Sequence, residues 1–205
     1  MTSTTARPLP GPLLWRGRKF ITLAAGMALG LFAQFGLIAH LYSLLVPALG
    51  KQPAGLAMGR VTVMAIAGRT LLGRMMPPAA DRRLAACAGY ALQIAGSAAF
   101  LCAGGTNIPL LLAGVVLFGL GFGNATSLPP LIAQVEFVKE DVARAAALIV
   151  AVAQSGYSIA PLFFGLIREC AAPGPGNAPG AAPALFAAAA LVQGLAVTAF
   201  LTGRR

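Results

Sequence analysis

Apolar residues fall into six long runs along this chain, separated by short polar or Pro/Gly-rich breaks. The first spans about 20–49, with Pro47 and Gly50 closing it. The second covers about 54–76 and stops at Pro77–Pro78, and the third covers about 84–103 and stops at Gly104–Gly105. The fourth, about 109–137, opens on Pro109, a residue suited to the first turn of a helix, and is interrupted by Pro129–Pro130. The fifth, about 142–167, follows Glu140–Asp141, whose acids fit an N-cap, and contains Pro161. Residues 170–183 read as loop by composition, and the sixth run covers about 184–202. Crossing the hydrocarbon core takes about 20 apolar residues in a helix. The runs are continuous rather than alternating, and in lipid every backbone group must be satisfied within its own segment, which points to helices and not a barrel. The pattern therefore predicts an all-α membrane protein with six transmembrane helices over residues 20–203, behind a flexible cytoplasmic lead-in at residues 1–19. The first run is too long for a signal-peptide core and reads as a retained span.

Composition agrees. Of 205 residues, 58% are hydrophobic and only 10% are charged, and the mean hydropathy is +0.82. A soluble domain carries about 25% charged residues, so this chain could not cover a water-facing surface. The net charge of +10 would suggest nucleic acid in a soluble protein. Here the basic residues sit at the ends of apolar runs, which suits lipid headgroups and orientation signals instead, and no nucleic-acid partner is expected. With the N-terminus inside, the inner segments hold Arg7, Arg16, Arg18, Lys19, Arg74, Arg82, Arg83, Lys139, Arg144, Arg204 and Arg205, and the outer loops only Lys51 and Arg168. That asymmetry predicts both termini in the cytoplasm and a multi-pass protein of the inner membrane.

Chemistry is sparse. Cys87, Cys102 and Cys170 are irregularly spaced, form no CxxC pair and read as small apolar helix residues. The lone His40 has no nearby acid, so neither a catalytic constellation nor a metal or cofactor site is expected, and the chain does not read as an enzyme. Gly119-x-Gly121-x-Gly123 echoes a dinucleotide fingerprint but lies inside a span, with no strand before it.

Four stretches carry a family resemblance. Gly68-Arg69-Thr70-Leu71-Leu72-Gly73-Arg74, followed by Asp81-Arg82-Arg83, resembles the Gly/Arg-rich loop signature of the major facilitator superfamily, which lies between the second and third helices of each six-helix half. Phe118 to Asn124 and Ser127 to Gln134 look like the tenth helix of bacterial members, Gln154-Ser155-Gly156-Tyr157 to Gly165 like the eleventh, and Trp15-Arg16 to Leu37 like the seventh. The resemblance covers about residues 15–203 and implies the C-terminal half of such a transporter, built from 3+3 inverted repeats. The family's loop has an Asp four residues after the second glycine; here that position is Pro77, and Asp81 comes later.

The resemblance implies a secondary transporter of a small solute, with an organic anion as the candidate class. Arg69 lies about 10 Å from the inner end of its span, where an ionisable residue either faces a cavity or a partner or snorkels to the inner headgroups. In organic-anion carriers of the superfamily a basic residue in this helix meets the substrate carboxylate, and Arg69 resembles that placement. Arg60, nine residues earlier, falls on the opposite side of the helix. His40 would suit a proton-coupled step or a hydrogen bond between helices. Gln34, Asn124, Gln134, Gln154, Ser155 and Tyr157 are in-span polar groups that either line a path or bond between helices. Gly26-xxx-Gly30 and Gly119-xxx-Gly123 permit close helix approach. A full transporter of this kind needs two bundles, so the expected partners are the lipid bilayer, the solute, and a second six-helix half or a second copy. The alternative function is a non-transporting membrane subunit or a truncated remnant of a carrier.

Overall fold

The computed structural model describes residues 11–77, 80–171 and 178–204, so Arg7, Pro78, Arg205 and residues 172–177 of the 170–183 loop lie outside the described residues. The described chain is all helical: α1 (Gly11–Arg16), α2 (Arg18–Leu49), α3 (Lys51–Met75), α4 (Arg82–Ala103), α5 (Ile108–Phe122), α6 (Leu128–Glu136), α7 (Lys139–Ser158), α8 (Ala160–Cys170) and α9 (Pro183–Thr202). Five helical stretches are long and apolar enough to cross a membrane, namely α2, α3, α4, α7 with α8, and α9. The fourth apolar run forms the shorter helices α5 and α6. Alone, the 15 residues of α5 reach only about 22 Å. This is a multi-pass helical membrane bundle.

The helix ends follow local chemistry. Gly50, at φ +84°, turns the chain between α2 and α3, and its N–H donates to the Val46 carbonyl. Asp81 caps α4 by accepting from the N–H groups of Arg83 and Leu84 at 2.9 and 3.3 Å, and α4 ends on Gly104 in the left-handed region. Asn107 caps α5 by accepting from the Leu110 N–H, and Pro109 lies in the first turn as expected. Two details differ from the sequence reading. Within the stretch read as a flexible lead-in, residues 11–16 form α1, whose Leu14 is buried in the core. Glu140 and Asp141 do not cap their helix; α7 starts at Lys139, and the acids lie in its first turn, where they complement the helix dipole.

The fourth span breaks before its proline pair rather than at it. Pro129 and Pro130 have no N–H to give the carbonyls of Ala125 and Thr126, four residues back. The helix therefore stops at Phe122, turns over 123–127, and restarts at Leu128 with the prolines in its first turn. Pro161 acts likewise on the fifth span, which divides into α7 and α8 around Ile159.

Helix α2 is central, packing on α9, α7, α3 and α8. Two apolar clusters divide the core. One gathers Leu23, Met27, Leu31, Tyr90, Ile149 and Phe200, and the other gathers Leu37, Leu41, Phe100, Phe118, Phe164 and Phe186. Between them along α2, α4 and α9 come buried Gln34, Gln93, Ser97 and Gln193. The Gln193 amide donates to Gln93 Oε1 at 3.3 Å. The glycines read as close-approach pairs play different parts. Gly26 and Gly30 accommodate the rings of Phe200 and Tyr90, whereas Gly119 and Gly123 bring α5 against the α3 backbone at Val61 and Ala65.

Candidate functional site

The most exposed element bears the most in-span charge. Only 17% of the most apolar stretch of α3 is buried, against 56% for α2. Arg60, Thr62, Arg69 and Thr70 are all exposed on it. Of these, Arg69 is tied to another helix: its Nε donates to the Gly123 carbonyl at 2.9 Å and its Nη2 to Thr126 Oγ1 at 3.3 Å. The contact is possible because α3 and α5 touch backbone to backbone. A Cβ on Gly68 would overlap the Leu120 carbonyl oxygen, and one on Gly123 would overlap that of Ala65. Gly123 also accepts from Ser127 Oγ at 3.1 Å. A guanidinium thus rests on the carbonyl end of α5, where the helix dipole favours a cation.

Aromatic rings adjoin this break. Phe122, the last residue of α5, meets Phe35 of α2 edge-on at 6.0 Å, and Phe35 stacks on Tyr157 of α7 at 4.3 Å. Gln154 and Ser155, a turn before Tyr157 or less, are exposed. The structure therefore connects Tyr157 to the same helix break that Arg69 holds. The other candidates lie elsewhere. Gln34 is buried between the apolar clusters, and its amide has no hydrogen-bond partner among the described residues. Asn124 is buried and lies against Gly89 of α4. His40 bonds through Nε2 to the Pro161 carbonyl at 3.0 Å, beside Gly165. Gln134 is exposed on α6.

The loop-motif residues form a fastening rather than a pocket. Gly73 and Arg74 are exposed near the end of α3. Arg82 donates from Nη1 to the Leu131 carbonyl of α6 at 2.6 Å. Arg83 is buried and bidentate on Glu136, with Nη2 to Oε2 at 2.7 Å. Its remaining bonds reach Thr22 Oγ1 and the Lys19 and Phe200 carbonyls. One guanidinium so joins α2, α4, α6 and α9. A Cβ on Gly203 would collide with it. Asp81 pairs with Arg204 at 2.7 Å. Burial pushes the Asp81 carboxyl up, but the Leu84 N–H, Arg204 and the Arg83 N–H outweigh it, so it stays below its ordinary value. Sequence reasoning did not single out Glu136, Thr22 or Thr126 as site residues. A usable signal existed for the acid: Arg83 opens an apolar helix, and so few acids occur in the chain that its partner had few identities to choose from. Among the described residues no group of three metal-ligating side chains occurs.

No family model matches the chain, and no curated protein matches it by sequence. The fold is similar to that of the POT family transporter PepTSo, seen in an in meso crystal structure. The TM-score is 0.75 at 18% identity, over 91% of this chain and 37% of that one. The protein is thus a membrane bundle with a transporter-like fold. The chain spans little more than a third of that transporter's length.

Proposed function

We propose that this chain is one bundle of a two-bundle secondary transporter of the major facilitator type, moving a small organic anion by alternating access in a cytoplasmic membrane, with both termini inside. The observation that carries the reading is Arg69, a guanidinium within an apolar span, exposed on the bundle surface and seated at a broken helix. A charge at such depth faces a cavity or a partner rather than lipid. Broken helices gather at transporter binding sites because their free ends can hold charge. The likeness to part of a known transporter supports the same reading. In it Arg69 contacts the solute's carboxylate, while Thr126, Gln154 and Tyr157 line the path. The exposed sides of α3 and α7 face a second bundle, supplied by another six-helix half or by a second copy.

The test is uptake of radiolabelled small dicarboxylates into proteoliposomes holding the assembled protein as it occurs in native membranes. Uptake is expected to fall about tenfold or more in Arg69→Ala, the loss of a charge-assisted hydrogen bond to the solute. Equal uptake by the variant would remove Arg69 as the anion contact. Absence of uptake by any assembly would leave the alternative, a membrane subunit that packs against a partner without transporting.

A further inference from the structure

The two halves of the fourth span are fastened differently. Helix α5 is held on two sides, against α3 by Gly119 and Gly123 and against α4 by Gly96 and Gly121, where side chains would collide with the facing backbone. Helix α6 is held to α4, by Arg82 on the Leu131 carbonyl and by Arg83 on Glu136. Between them the 123–127 turn lacks the helical bonds that Pro129 and Pro130 cannot supply. Among the described residues, Arg69 is the charged side chain that bridges α3 to this turn, gripping its first residue at Gly123 and its fourth at Thr126.

We propose that Arg69 is a solute-released latch on the fourth span. Empty, the guanidinium holds the 123–127 joint against α3. An anionic solute competes for the same nitrogens and is the stronger acceptor, since a carboxylate bonds a guanidinium about twice as strongly as a neutral oxygen does. Binding therefore frees the Gly123 carbonyl and the Thr126 hydroxyl, and the 123–127 joint can open. The coupling rests on the anion-carrier reading above, but the latch itself does not, and this lets the two be tested apart.

Hydrogen–deuterium exchange of the 124–128 amides in the reconstituted full chain, with and without succinate, reads the joint directly. In the unliganded protein, Arg69→Gln is expected to speed exchange there about tenfold, the effect of losing one hydrogen bond to a charged group. Thr126→Val, which leaves the guanidinium in place, should raise exchange by a smaller factor and keep the response to succinate. Succinate should speed exchange in the unmodified protein and do nothing further in Arg69→Gln. Unchanged exchange in both unliganded variants would overturn the latch whatever the solute is. Faster exchange in the variants, with succinate slowing or not altering the unmodified joint, would overturn its release by an anion. Uptake that depends on Arg69 without any change in exchange would leave the anion-carrier reading standing and the latch rejected.

Discussion

Arg83 is 2% exposed and yet charged, and each of its three guanidinium nitrogens donates to an acceptor. Stranding one member of such a pair costs about 3–5 kcal/mol, because the survivor stays buried without its counter-charge. Arg83→Ala and Glu136→Ala should each lower unfolding stability in detergent micelles by about 3 kcal/mol, and the double variant should lose clearly less than the sum. Additive losses would show that the two do not act as a pair. At this scale the sequence was partly legible. The Gly/Arg loop singled out Arg82 and Arg83, but not what Arg83 would grip, because Glu136 is 53 positions away. Gln34 and Asn124 were candidates for a path because they lie within spans. Their burial against other helices depends on which face turns inward, and a helix that is apolar nearly all round does not reveal this.

For elements, proline determines where helices stop, and its effect falls one turn upstream. The sequence placed the interruption of the fourth span at Pro129–Pro130, whereas the break lies at 123–127 because the missing donors belong to carbonyls four residues back. Restoring them is a direct test of the joint. Pro129→Ala with Pro130→Ala should let the helix close across 123–127 and slow exchange of those amides by about thirtyfold, two regained backbone hydrogen bonds being worth about 1 kcal/mol each. If the break persists, packing rather than proline holds it open. The tight α3–α5 contact belongs to this scale as well. Gly119-xxx-Gly123 was recognisable as a small-residue face, but the similar Gly26-xxx-Gly30 takes aromatic rings instead. Spacing alone does not distinguish a backbone seam from a ring socket.

Taken whole, the bundle is unevenly covered: α2 and α4 are well buried, whereas α3 and the α7–α8 stretch are only 17% and 22% buried. Some of that outer surface is apolar, as at Leu56 and Ile66, and some is polar, as at Thr70, Gln154 and Ser155. Lipid tails offer no hydrogen bonds, so the polar groups need a partner or a water-filled cavity. Cysteines placed at Thr70 and at Ser155 should therefore cross-link in native membranes to a second six-helix chain or a second copy. One at Leu195, exposed on α9, should not. Equal cross-linking from all three positions would mean random collision in the bilayer rather than a second bundle.

The sequence by itself determined the membrane environment, the helical class and most helix ends. These depend on quantities local in the chain: run length against bilayer thickness, charge at run ends, and caps and prolines within one turn. Only the tertiary structure decided that Arg69 reaches the broken fourth span, that Arg83 joins four helices, and that two of the in-span polar candidates belong to the core. Those outcomes depend on helix rotation and register. Long apolar helices encode these weakly in sequence, and the close contacts of glycines, aromatic rings and ion pairs fix them once the helices meet.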